Sequence, residues 1–221
     1  MTGQAPVQSP RGGMRDAPDF FVYVEGPRDR DVLRAWARRS SARLAKLLAP
    51  ACVILGGRQP ARAIEDLQRR REQRPEARGL CLLDGDDFDP EDTPQEVGGL
   101  EWFVWGRRHI ESYLLVPEAI ERALRGREVS VGPLFQEAKV PLTDERLLAS
   151  YDAKAFLGAR GPLALAGGSV PPGRIARAMR PEELHSDVQA LLRRIRAGLG
   201  VIEPLVTVRS TTPARGPAGL S

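Results

Sequence analysis

Lysine is nearly absent from these 221 residues: Lys46, Lys139 and Lys154 are the only three, and the other 30 basic residues are arginine. Cysteine and histidine are equally scarce, at two each. With no CxxC pair and no Cys/His cluster, a zinc site and a disulfide framework are excluded. Cys52 and Cys81 each lie in an apolar run and read as reduced core residues. No apolar run approaches the ~18–20 residues of a membrane helix, and no apolar stretch follows a basic start. Neither a membrane span nor a signal peptide is expected, and the default location is cytoplasmic. There is no GxxxxGKS/T phosphate loop, no GxGxxG fingerprint and no internal repeat. The 22 glycines and 19 prolines follow no period, which excludes collagen.

What is present fits a globular chain. The hydrophobic fraction is 42% and the charged fraction 28%, near globular averages, and a chain of this length buries roughly 70% of its unfolded surface. The net charge of +4 permits a polyanionic partner without requiring one. The arginine excess reads either as a codon bias or as a surface of guanidinium forks matched to phosphate oxygens.

Composition divides the chain into a disordered arm at 1–17, an α/β core at 18–126, a helical appendage packed on the core at 127–203 and a flexible tail at 204–221. Within the core, Asp19 to Glu25 holds the almost continuous apolar run Phe20-Phe21-Val22-Tyr23-Val24, as expected of a strand buried on both faces. Further strands are expected at 51–55, 79–83 and 101–105. Helices are expected at 28–48, stopping at Pro50, at 61–74, and from His109 through Pro117 to Leu124. Later helical patterns fall at 144–157, 175–179 and 181–199. The alternation of strand and helix predicts a central, mainly parallel, four-stranded sheet flanked by helices.

In such a sheet, chemistry sits beyond the carboxyl ends of the strands. Two predicted strands end there in acids. Val22-Tyr23-Val24 leads to Glu25-Gly26, with Asp29 in the opening turn of the next helix, and Leu82-Leu83 leads to Asp84-Gly85-Asp86. Gly26 and Gly85 are expected to supply the permissive dihedrals of these sharp exits. Crowded carboxylates raise one another's pKa values, and a divalent cation relieves the repulsion; oxygen donors alone favour Mg²⁺ or Mn²⁺, one or two ions, over zinc. The blander readings are a solvated acidic loop for 84–92 and a helix N-terminal charge for Glu25. Neither explains why both acids follow buried-strand patterns.

These residues resemble a known family. Val24-Glu25-Gly26-x-x-Asp29-x-x-x-Leu33, followed by Leu82-Leu83-Asp84-Gly85-Asp86, is similar to the TOPRIM domain of topoisomerases, bacterial primases, small nucleases and the OLD (overcoming lysogenisation defect) family. Arg107-Arg108-His109-Ile110-Glu111-Ser112-Tyr113-Leu114-Leu115 resembles the segment that follows the Asp-x-Asp strand in OLD-type domains. The match covers about residues 20 to 125 and extends more loosely to about 200. The resemblance implies a Rossmann-like TOPRIM sheet with a C-terminal helical appendage, and Mg²⁺-dependent hydrolysis of phosphodiester bonds in DNA, with RNA as a further substrate. It implies Glu25 in acid–base work or metal ligation, and Asp29, Asp84, Asp86 and Glu111 as metal ligands. Lys154 is the candidate for the lysine that steadies developing phosphate charge.

OLD proteins carry an ATP-binding-cassette ATPase before the TOPRIM part, and none is present here. The expectation is a stand-alone TOPRIM-like protein whose partners are nucleic acid, foremost DNA, a separate ATPase subunit and a second copy of the chain. The rival reading is a non-catalytic metal- and nucleic-acid-binding partner of that ATPase. An aspartyl-phosphate phosphatase is a third, suggested by Asp84-Gly85-Asp86 but opposed by the two strands that precede it.

Arg107 and Arg108 stand beside the acids and are expected to hold phosphate, with ordinary surface charge as the alternative. His109, beside Glu111, reads as a structural histidine, with reach to the acidic site as the alternative, and His185 as a solvent-facing helical one. Trp102, Phe103 and Trp105 read as core. Arg69, Arg70, Arg71 and Arg74 read as a solvated helix face, with backbone contact to nucleic acid as the alternative.

Overall fold

The computed structural model describes residues 18–85 and 96–201; Asp86, the 1–17 arm and the whole 204–221 tail lie outside the described residues. The chain begins with β1 (Phe20–Val24), α1 (Pro27–Ser40), α2 (Ala42–Ala51), β2 (Cys52–Ile54), α3 (Pro60–Gln73) and β3 (Arg78–Leu83). It continues through β4 (Glu96–Val97), β5 (Leu100–Val104), a 3₁₀ turn at Ile110–Leu114 and α4 (Pro117–Ala123). Last come α5 (Val131–Glu137), α6 (Glu145–Ser150), α7 (Ala153–Leu157), α8 (Pro172–Ala178) and α9 (Ser186–Gly198).

The sheet has five strands in the order β2-β1-β3-β5-β4. The first four are parallel and β4 runs antiparallel to β5. The fifth strand is the departure from the four expected. It is two residues long, too short to show a period, and turns back through Gly98 and Gly99, both at positive φ.

Alternation along the buried strands builds two apolar layers. Phe20, Val22 and Val24 of β1, Leu80 and Leu82 of β3 and Phe103 of β5 face one side, and Phe21, Tyr23, Cys81, Leu83 and Leu100 face the other. The second side is covered by α3 through Ala63 and Leu67. The first is covered by α1, α2 and the helices from α4 onward, whose Phe135, Phe156, Ile175, Leu191 and Ile195 belong to the same apolar cluster as the strands. Trp102 is half-buried against the α3 side, while Phe103 and Trp105 are buried and meet edge to face at 5.0 Å. Cys52 and Cys81 are free thiols, and burial pushes both pKa values up to about 12.

Three helical expectations need correction. The single helix at 28–48 is two, broken at Ser41, whose extended backbone and side chain cap α2 by accepting from the Leu44 amide at 3.3 Å. Pro50 does not stop that helix, which runs on to Ala51. The stretch at 144–157 is likewise split into α6 and α7, with Asp152 capping α7 by accepting from the Ala155 amide at 2.9 Å. His109–Val116 yields only the 3₁₀ turn. Among the described residues no helix is long and apolar enough to cross a membrane.

Trp36 on α1 joins the two halves of the larger layer. It is fully buried, meets Trp105 edge-on at 6.3 Å, and its indole N–H donates to the Met179 sulfur at 3.2 Å. Trp36→Ala is expected to cost about 3–5 kcal/mol in urea unfolding, in a single transition. A loss under about 1 kcal/mol, or a separate early transition for the C-terminal helices, refutes one shared core.

Candidate functional site

Parallel pairing brings the carboxyl ends of β1, β3 and β5 to one edge of the sheet. The chain leaves β1 toward β2 on one side and leaves β3 toward β5 on the other. Between β1 and β3 the connections diverge and open a crevice. Glu25 follows β1 and Asp84 follows β3 directly into it.

Backbone contacts fix both exits. The Glu25 carbonyl accepts from the amides of Gly56 and Gly57, each at 3.1 Å. Those glycines have φ of 78° and 132°, a region that side-chain-bearing residues rarely enter. The turn returns Arg58 to the crevice, where its Nε lies 3.8 Å from Glu25 Oε2 and its Nη2 3.6 Å from Asp84 Oδ2. Two carboxylates on one planar guanidinium lie within about 10 Å of each other. At Gly85 the need is for space, not for an unusual dihedral. A Cβ there would collide with the Trp105 carbonyl oxygen and lie 2.7 Å from that of Arg107, while the Gly85 amide donates to the Arg108 carbonyl at 3.1 Å. Gly26 is extended at φ −143°, which any residue adopts, so the expectation of a special dihedral fails at both glycines.

Asp29 occupies the third position of α1, and its Oδ2 accepts from the Gly26 amide at 2.8 Å. The helix-start role considered for Glu25 thus belongs to Asp29. Burial raises the Asp29 pKa to about 7; the Gly26 N–H opposes this, and the charges of Glu111, Asp84 and Glu25 add to it. Glu111 comes from the 3₁₀ turn after β5, is 5% exposed, and among the described residues its Oε2 has no hydrogen-bond partner. Its pKa is also raised, by burial first, with Asp84 adding and Lys154 opposing.

Lys154 arrives from α7, and its Nζ donates to Asp84 Oδ2 at 2.9 Å. Burial alone would lower its pKa, but the Asp84 contact and the charges of Asp84, Glu111 and Glu25 outweigh it, so the ammonium is held charged. Asp84 Oδ2 also meets His109 Nδ1 at 3.3 Å. His109 is buried, and its place against an acid of the crevice fits the alternative of reach to the site.

Glu25, Asp29, Glu111 and Lys154 line one open cleft of about 610 Å³, with Arg28 at its rim and residues 157–159 and 169–172 as the far wall. Asp84 closes its inner side through Lys154. Arg107 does not join it. Its guanidinium makes a two-pronged pair with Glu145 at 2.9 Å, donates to the Ser112 carbonyl at 2.8 Å and stacks on Tyr113 at 5.0 Å. The expected phosphate ligand is an internal strut, because Glu145, 38 residues away, claims it. Arg108 anchors the same region through its backbone, donating to the Ala149 carbonyl at 2.7 Å. His185 caps α9 and packs on Tyr113 at 5.3 Å rather than facing solvent alone. On α3, Arg70 pairs with Asp66 and lies over the Phe21 ring at 4.1 Å, and Arg71 donates to the Gly98 carbonyl at 2.9 Å. That stripe ties the helix to the sheet.

The donors suit a hard divalent cation: all are carboxylate oxygens, two have raised pKa values, and the Glu111 Oε2 is buried without a partner. Among the described residues no three His, Cys, Asp or Glu side chains converge closely enough to form a finished metal site. Comparison with family models, curated proteins and solved structures finds no match to this chain.

Asp29 retains a proton in the folded state that the unfolded chain releases near pH 3.8, so native stability falls as pH rises from about 4 to about 7. Asp29→Asn cannot ionise and keeps an acceptor for the Gly26 amide. In EDTA its stability relative to the parent is expected to be greater at pH 8 than at pH 4, by up to about 4 kcal/mol. Parallel pH profiles from denaturant titrations refute the burial argument.

Proposed function

We propose that this chain is a Mg²⁺- or Mn²⁺-dependent endonuclease of TOPRIM type, resembling the OLD family, that hydrolyses phosphodiester bonds of DNA on a Rossmann-like sheet. The reading is carried by one observation: Glu25 and Asp84 leave adjacent parallel strands beside Asp29, Glu111 and Lys154, with the Glu111 Oε2 unpartnered.

Asp29, Asp84 and Glu111, with Asp86, are the oxygen donors that would hold the ion. When bound, it supplies polarisation of the phosphoryl oxygen and a water of lowered pKa. The protein's own groups do the rest. Glu25, whose side chain is 39% exposed at the cleft, accepts the proton of the attacking water as its oxygen bonds to phosphorus. The P–O bond to the departing sugar oxygen breaks, and that oxygen takes a proton from solvent water and leaves as an alcohol, while Glu25 returns its proton to solvent. Lys154, held charged, donates to the phosphate oxygens as negative charge grows. His109 steadies the Asp84 carboxylate from the protein side.

A second reading is favoured by a specific feature. Asp84 Oδ2 is shared by Lys154, His109 and Arg58, so basic side chains of the protein already engage that oxygen. That arrangement suits a metal- and nucleic-acid-binding partner of a separate ATPase that does not cleave by itself.

Supercoiled plasmid incubated with the protein and Mg²⁺ or Mn²⁺ is expected to be nicked. Asp84→Asn and Glu25→Gln should each lower the rate by about 100-fold or more, and Lys154→Met by about 10²–10³. Nicking unchanged in Asp84→Asn and Glu25→Gln would falsify the assignment. Metal-dependent DNA binding without nicking decides for the second reading.

A further inference from the structure

A cationic groove continues from the cleft along α1. The first turns of α1 and α8 both border the cleft, through Pro27 and Arg28 and through Pro171 and Pro172. The two helices then run side by side. A Cβ on Gly173 would touch Asp31, Trp36 bonds Met179, and Arg39 donates to the Arg177 carbonyl at 3.0 Å. Beyond that seam, α1, α2 and α8 enclose an open groove of about 740 Å³.

Its rim is Arg34 and Arg38 from α1, Lys46 from α2 and Arg177 from α8, over a floor that includes Ala35 and Ala45. All four cations are exposed. Among the described residues none of them pairs with a carboxylate, whereas Arg70, Arg107 and Arg122 are neutralised by Asp66, Glu145 and Glu183. The acid of the lining, Asp31, is itself paired with Arg30 at 3.2 Å. Four uncompensated cations in one concavity, on a chain whose net charge is only +4, form a local anion-attracting surface.

We propose that this groove is a binding site for the sugar–phosphate backbone of duplex DNA, holding the arm of the substrate that extends from the cleft. It rests on the nucleic-acid reading of the cleft and adds a surface to it. Three of the four rim cations are arginines, whose forks match phosphate oxygens. From Arg28 at the cleft to Arg38 is about 15 Å along α1, the span of several phosphates on one strand. The lining holds no aromatic side chain. Stacking on bases, the usual means of gripping single strands, is therefore unavailable, and contact is confined to the backbone. The small alanine floor leaves the phosphates room to approach the rim.

The test is fluorescence anisotropy of a labelled duplex of about 20 base pairs, in EDTA so that cleavage does not contribute, over a salt series. Arg34→Gln/Arg38→Gln is expected to weaken binding at least about tenfold and to lower the slope of log K against log salt by about one per lost contact. Arg69→Gln/Arg71→Gln, on α3 across the sheet, removes the same two charges and should change binding less than twofold. Equal losses in both variants, an unchanged salt slope, or tighter binding of a single strand of equal length overturns the proposal. So does binding of polyglutamate, but not of duplex, that is lost in Arg34→Gln/Arg38→Gln; that result assigns the groove to an acidic protein segment. If plasmid nicking fails while duplex binding depends on Arg34 and Arg38, the catalytic reading falls and the groove assignment stands.

Discussion

Repulsion among carboxylates is the constraint around which this end of the molecule is built. β1, β3 and β5 all point the same way, so the acids that follow them, and Asp29 one turn further on, are delivered to a single half-buried edge. Burial is the first cause that raises the Asp29 and Glu111 pKa values, and the neighbouring carboxylates add to it. The fold answers with three basic groups from unrelated parts of the chain. Arg58 comes from the turn after β2, His109 from the loop after β5 and Lys154 from α7, and all converge on Asp84 Oδ2. Asp84 gathers the most basic neighbours of the set, while the buried Glu111 keeps an oxygen without a partner among the described residues.

Lys154 ties that balance to the packing of the later helices. It sits on a helix of five residues, too short to hold itself, whose Phe156 is buried against Phe135 of α5 at 4.8 Å. These side chains share one apolar layer with Val22 and Leu80 of the sheet. The charge that offsets Asp84 is therefore placed by hydrophobic burial well away from the crevice.

The sheet and its acids were legible because they are local features. A continuous apolar run such as Phe20–Val24 fits a strand covered on both faces, and the acid that follows it must emerge at the strand's end. What escaped notice depends on contacts between distant segments. Arg58 carries no motif and is returned to the crevice by two left-handed glycines, and Arg107 loses its expected role to Glu145. The break at Ser41 was readable in principle, since a serine followed by Leu44 and Leu48 is a helix start. The continuous helical spacing of the leucines concealed it.

The crowding at Gly85 has a mechanical consequence. With the carbonyls of Trp105 and Arg107 leaving no room for a side chain at Gly85 and its amide bound to Arg108, the exit of β3, which carries Asp84, is held against the exit of β5, which leads to Glu111. Position 85 is thus a notch cut to size: any side chain there would prise the two strand exits apart, and with them the acids they deliver.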